Sequence, residues 1–111
     1  MYELIFYTTL RDEAPALDFL RSLAAKQRSK AEKWMLYLQE RGPDLPRPYA
    51  DVLRGKIREL RVGYGRLQLR FLYFIEGKSI VLVSGFLKKT SAVPEEEIVR
   101  AERRMMDWLN R

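Results

Sequence analysis

The chain has 111 residues, 21 Lys and Arg against 15 Asp and Glu, a net charge of +6, and neither cysteine nor histidine. That length suits one compact domain, residues 1–111, with a single core. Without Cys or His there can be no disulfide, thiolate nucleophile, Ser-His-Asp triad or His-rich zinc site, so any catalysis must run on Lys, Arg, Tyr, Glu or Asp, and no metal or cofactor is expected.

No apolar run approaches the roughly 20 residues of a membrane-spanning helix. Met1-Tyr2-Glu3-Leu4 lacks the features of a signal peptide, so a cytoplasmic protein with no membrane partner is expected. The basic balance, with a pI near 9.8, favours a polyanionic partner, chiefly nucleic acid or an anionic membrane surface.

Tyr2 to Tyr7 is a β-branched and aromatic run that reads as a first strand. Thr9 with Asp12 three residues on suggests a helix start with Pro15 in the first turn, after which Leu17, Leu20, Leu23 and Ala24 recur at helical spacing. A second helix fits residues 27–41: Ala31, Trp34, Met35 and Leu38 form its apolar stripe, and Gly42-Pro43 ends it. Residues 43–51 hold three prolines and read as an extended loop. Ile57 to Val62, Leu67 to Ile75 and Ser79 to Leu87 then read as three strands joined by turns at 63–65 and 76–78. The last two runs are almost continuously apolar, which predicts central strands covered on both faces. Pro94 followed by Glu95, Glu96 and Glu97 marks the start of a last helix, with Ile98, Ala101, Met105, Trp108 and Leu109 as its apolar face. The order β-α-α-β-β-β-α predicts an α+β fold with helices packed on a mostly antiparallel sheet.

Two clusters can carry chemistry. Arg58-Glu59-Leu60-Arg61 is followed across a turn by Arg66 and Arg70, and Lys88-Lys89-Thr90 ends the last strand. Alternation puts Glu59 and Arg61 on one face of their strand and Arg58 on the other. Arg70 is a charge in the middle of an apolar strand, so it is either paired, with Glu59 on the adjacent strand, or it meets a phosphate. Lys88 and Lys89 read as a solubilising strand end or as phosphate ligands, and Phe71 and Tyr73 as core or as base-stacking residues. Because Arg58, Arg61, Arg70, Lys88 and Lys89 come from three consecutive strands, at least some of them can converge. Such a surface can grip phosphates and stabilise the pentacoordinate phosphate formed when a ribose 2′-hydroxyl attacks its neighbour, a reaction that needs neither metal nor water.

Three segments carry a resemblance: Gly55-Lys56-Ile57-Arg58-Glu59-Leu60-Arg61, Arg70-Phe71-Leu72-Tyr73-Phe74, and Gly85-Phe86-Leu87-Lys88-Lys89-Thr90 with Pro94 four positions later. In this order and spacing the chain resembles the phage-derived RelE/HigB-like toxins of type II toxin–antitoxin systems. The resemblance implies a RelE-like fold and a metal-independent endoribonuclease that cuts mRNA in the ribosomal A site. It implies the ribosome and a cognate helix-turn-helix antitoxin as partners. Arg61 and Arg70 would then contact the scissile phosphate, while Lys88 and Lys89 would bind it or protonate the leaving 5′-oxygen. Glu59 would orient an arginine or act as base, and Arg58, Arg66, Tyr73 and Thr90 would line the RNA path. The chain departs from relatives that carry a Tyr or His near the C-terminus: after Pro94 it has only Trp108, which leaves Tyr73 as the nearest substitute base. A non-catalytic partner of an antitoxin, or a plain RNA-binding domain, would use the same basic sheet.

Overall fold

The computed structural model describes residues 1–111. Strand β1 (Glu3–Phe6) leads to helices α1 (Pro15–Ser22) and α2 (Ala25–Arg41) and a 3-10 turn at Gly42–Asp44. Strands β2 (Ala50–Arg54), β3 (Ile57–Tyr64), β4 (Leu67–Glu76) and β5 (Ser79–Leu87) follow, and α3 (Glu95–Leu109) ends the fold. The sheet order is β1-β5-β4-β3-β2. β1 runs parallel to β5, and every other pair is antiparallel. This is the expected α+β architecture with one strand more than the sequence suggested.

The extra strand is β2. It occupies the end of the segment read as a loop and runs past it, pairing Ala50 with Leu60 and Asp51 with Glu59. Only five residues long and charged near both ends, it carries no apolar run to mark it. As an edge strand it needs just one buried side. The start of α1 also differs from expectation. Thr9 Oγ1 accepts the backbone N–H groups of Arg11 and Glu13 at 3.2 and 3.1 Å, and Asp12 takes φ +61°, so the Thr9 signal builds a turn and the helix begins at Pro15. Leu23 and Ala24 form the extended joint between α1 and α2, where Gln27 Oε1 accepts the Ala24 N–H and fastens the first turn of α2.

Two cores sandwich the sheet. On one face α1 and α2 bury Ala16, Leu20, Ala31, Met35 and Leu38 against Leu60, Val62, Leu69, Phe71, Tyr73 and Leu82. On the other face α3 brings Ala101, Met105 and Trp108 to Ile57, Leu72, Phe74, Val81 and Val83. Residues 71–74 are therefore fully buried, as their continuous apolar run predicts. Close approach on the first face depends on glycine: a Cβ at Gly85 would stand 2.6 Å from the Phe19 ring of α1. A register shift interrupts the β4–β5 pairing after Leu72, which opposes Ser84 while Tyr73 opposes Leu82. Val83 is the extra residue, and both it and Ser84 turn toward α3, where Arg104 donates to the Val83 carbonyl at 2.9 Å and to Ser84 Oγ at 2.8 Å. No helix is long and apolar enough to cross a membrane.

Candidate functional site

α3 covers only part of its side of the sheet. Beyond it, β2, β3, β4 and the loop after β5 enclose an open pocket of about 420 Å³. Glu59, Arg61 and Arg70 stand on the sheet, Leu53 and Lys88 on flanking segments, and Ser91 to Val93 form the loop wall. Antiparallel register builds this arrangement: Arg61 pairs directly with Arg70, and Glu59 with Leu72, so alternate residues of β3 and β4 project to the same side. Lys88 follows β5, held where its N–H donates to the Gln68 carbonyl at 2.8 Å. The wall is pinned from below by Arg54 of β2, whose guanidinium grips the Glu95 carboxylate at the start of α3 with two bonds of 2.7 and 2.6 Å.

Glu59 is the organising group. Its side chain is 3 % exposed, Oε1 accepts from Arg61 Nε, and the same oxygen lies 3.9 Å from Arg70 Nε. Oε2 is buried with no hydrogen-bond partner. Arg70 is 6 % exposed; its Nη1 donates to the Leu69 carbonyl at 3.0 Å and to Gln68 Oε1 at 3.3 Å. Burial lowers its pKa, the neighbouring Arg61 adds to that, and Glu59 opposes it. Arg61, with a third of its side chain exposed, also reaches Asp51 Oδ2 at 3.5 Å, and Asp51 in turn accepts from Arg47 at 2.9 Å. The Asp51 carboxyl is held below its ordinary range by the Arg47 bond first, then by the Val52 N–H and the charge of Arg61.

Three cations, Arg61, Arg70 and Lys88, thus face one pocket against the single carboxylate Glu59. A surplus of positive charge over a recessed floor suits a phosphodiester, with guanidinium forks beside it and an ammonium at the rim. The other residues singled out from the sequence are placed elsewhere. Lys89 and Thr90 are exposed on the loop after β5, and Thr90 Oγ1 donates to the Ala92 carbonyl of that loop. Arg66 is exposed on the β3–β4 turn. Arg58 lies on the opposite face of the sheet, in a shallow pocket with Pro43, Lys56 and Ile75.

Tyr73 is the clearest correction. It is 0 % exposed in the core under α1 and α2, and burial pushes its pKa up to about 12 despite the nearby Arg58. A base-stacking or proton-accepting role in the pocket is closed to it. Its partner in the period-two pattern, Phe71, is core as well. What the sequence reading missed is Asp51, the second carboxylate on Arg61, and the apolar wall of Leu53 and Val93. Assigning residues 50–54 to a strand would have placed Asp51 opposite Glu59 and Leu53 on the same side.

No curated protein matches the chain. A family model described as phage-derived protein Gp49-like (DUF891) matches residues 18–106, which include the second half of α1, all of β2 to β5 and most of α3, and hence the whole pocket. The chain belongs to this phage-derived Gp49-like family, a toxin–antitoxin-associated family of RelE-like toxins.

Proposed function

We propose that the protein is the toxin of a type II toxin–antitoxin pair of RelE/HigB type and works as a metal-independent endoribonuclease on mRNA in the ribosomal A site. The observation that carries the reading is the side-by-side placement of Arg61 and Arg70 over buried Glu59, with Lys88 at the rim of the same open pocket. In the proposed reaction a ribose 2′-hydroxyl attacks the adjacent phosphorus. The P–O5′ bond breaks and leaves a 2′,3′-cyclic phosphate and a 5′-hydroxyl; the proton lost from the 2′-oxygen is balanced by one gained at the 5′-oxygen.

Arg61 and Lys88 reach the open space and bind the non-bridging oxygens, where charge grows in the transition state. Lys88 also supplies the proton to the 5′-oxygen, while Lys89, exposed on the loop outside the pocket, can bind only flanking phosphate. Arg70 adds positive charge from the floor, and Glu59 fixes Arg61 by a hydrogen bond while the same oxygen faces Arg70 at 3.9 Å. Arg66 and Thr90 lie outside the pocket, where they can touch only flanking RNA. A helix-turn-helix antitoxin would silence the toxin by covering the basic pocket.

One observation favours a second reading. The Arg70 guanidinium is engaged with the Leu69 carbonyl, Gln68 and Glu59, as a structural ion pair would be. On that reading the chain is a non-catalytic module that binds its antitoxin or RNA without cutting. Primer extension on mRNA in a reconstituted translation complex separates the two. A-site cuts that disappear in Arg61→Ala support the nuclease, and intact message with folded wild-type protein supports the binding module.

A further inference from the structure

Three aromatic side chains line a second pocket, of about 270 Å³, on the α2 side of the sheet edge: Trp34 and Tyr37 of α2 and Tyr49 just before β2, with Leu45 beneath and Arg41 at the side. Trp34 stacks on Tyr49 with ring centres 4.5 Å apart and planes 22° apart, and meets Tyr37 edge-on at 5.0 Å. None of the three is buried in the core, and Tyr49 is 42 % exposed. Trp34 spends one face on Tyr49, so the exposed Tyr49 ring is the surface that this pocket of a basic chain offers a guest.

We infer that this pocket stacks a nucleobase of single-stranded RNA whose backbone runs on into the Arg61–Arg70 pocket. The inference rests on the proposed function for its RNA and adds a second contact to it.

Size and charge choose the guest. The pocket is just under the range of small-molecule sites, roughly 300–1,000 Å³, and suits one planar ring system. An aromatic cage for a cation is disfavoured, because the one charged lining residue is Arg41 and Lys33 Nζ already lies 6.0 Å from the Tyr37 ring centre. Those cations match the phosphate that accompanies a base.

Continuity comes from the backbone. The Tyr49 carbonyl accepts the Arg61 N–H at 2.8 Å, and Asp51, two residues along, touches the Arg61 guanidinium. Tyr49 ends a turn at residues 47–49 and packs toward α2, while Asp51 in β2 keeps to the side of Arg61. The aromatic pocket and the basic pocket therefore lie on either side of one strand edge, and exposed Arg47 is paired with Asp51 on that edge.

The test uses a labelled 2′-O-methyl oligoribonucleotide, whose blocked hydroxyl prevents cleavage, and the same oligomer with abasic positions. Binding is followed by anisotropy across a salt series, with Tyr49→Ala and Arg61→Ala as variants. Tyr49 is at the surface, so its loss leaves the core intact. The expectation is that Tyr49→Ala weakens binding about tenfold with little change in salt dependence, and that it no longer distinguishes the abasic oligomer. Arg61→Ala should instead flatten the salt dependence. Binding that needs Arg61 but is indifferent to Tyr49 and to the bases overturns the aromatic site and leaves the proposed function standing. No binding by wild type overturns the aromatic site, and A-site cleavage in the reconstituted translation complex then decides the proposed function separately. A Tyr49→Ala protein that keeps its RNA affinity but loses its antitoxin would assign the pocket to a protein partner and overturn the inference.

Discussion

Arg61 and Arg70 are direct partners across β3 and β4, and a single oxygen of Glu59 lies against both guanidiniums. Two like charges in register repel one another, and a pair of this kind is stable only over a shared counter-charge. The two arginines differ in what they leave free. Arg70 is buried and hydrogen-bonded only through Nη1, to Leu69 and Gln68, whereas a third of the Arg61 side chain is open to solvent.

Arg61→Ala is therefore the direct test of chemistry. It also removes the one hydrogen bond that buried Glu59 accepts and leaves Arg70 at 3.9 Å, so stability should fall by about 1.5–3 kcal/mol. The cleavage rate in a reconstituted translation complex should fall by about 10²–10³, as for the loss of one transition-state donor. Thermal melting should fall by several degrees, so cleavage is read at a temperature where circular dichroism shows the variant folded. Full cleavage activity in this variant would remove the basic pocket from the mechanism.

Glu59 and Arg70 should behave as a coupled buried pair. Arg70→Ala leaves the Glu59 carboxylate buried with one partner fewer, and Glu59→Gln leaves two neighbouring guanidiniums without a counter-charge. Breaking such a pair costs about 3–5 kcal/mol, a large share of a small domain's stability. The double variant Glu59→Leu/Arg70→Met replaces both charges with apolar groups and should be more stable than either single variant. Urea titration of wild type, Glu59→Leu, Arg70→Met and the double variant gives the coupling directly. Additive losses would mean that the 3.9 Å pair carries no structural weight.

Much of this site was legible in the sequence because strand alternation is a rigid rule. Once residues 57–62 and 67–75 are strands, Glu59 and Arg61 must share a face and Arg58 must take the other, and the only freedom left is register. The tight turn at Gly65, with φ +59°, fixes that register and sets Arg61 opposite Arg70. Lys88 was legible for the same reason, as the residue next to the end of β5. The errors came where side-chain type does not report burial. A tyrosine can be core or surface, and only the packing of α1 and α2 over β4 places Tyr73 inside. β2 escaped because a short edge strand lacks the apolar run that betrays an interior one. Asp51, which belongs to the site through β2, escaped with it.

Gly85 tests the packing that holds β5 in place. An alanine there would put its Cβ 2.6 Å from Phe19 Cδ2 and 3.0 Å from Phe19 Cβ, and Phe19 in turn rests on Phe71 with ring centres 5.5 Å apart. Overpacking of this kind costs about 1–3 kcal/mol. Gly85→Ala should lower the melting temperature, and adding Phe19→Leu should recover part of the loss, because the ring that clashes is gone. If Phe19→Leu made the alanine variant worse, the conflict would lie in the backbone instead.

The pH dependence of stability follows from which groups the fold perturbs. Asp51, Glu95 and Asp107 have pKa values below their ordinary ones, caused first by hydrogen bonds from Arg47, Arg54 and Tyr7 respectively. A lowered carboxyl contributes stability that is complete above its unfolded pKa, near 3.8 for Asp and 4.5 for Glu, and that is lost as pH falls through the folded value. Tyr7 and Tyr73 shift the other way, each mainly because burial disfavours the phenolate, and Tyr73 reaches about 12. Their contribution is complete below the unfolded pKa of 10 and is lost as pH rises toward 12. Between these limbs there is no histidine to titrate. Thermal melting should accordingly give a plateau from about pH 5 to 9, an acid limb below it and an alkaline limb above pH 10. Tyr7→Phe removes the bond to Asp107 and one raised phenol together, so it should shrink both limbs. A marked change in melting temperature between pH 6 and 7 would contradict this reading.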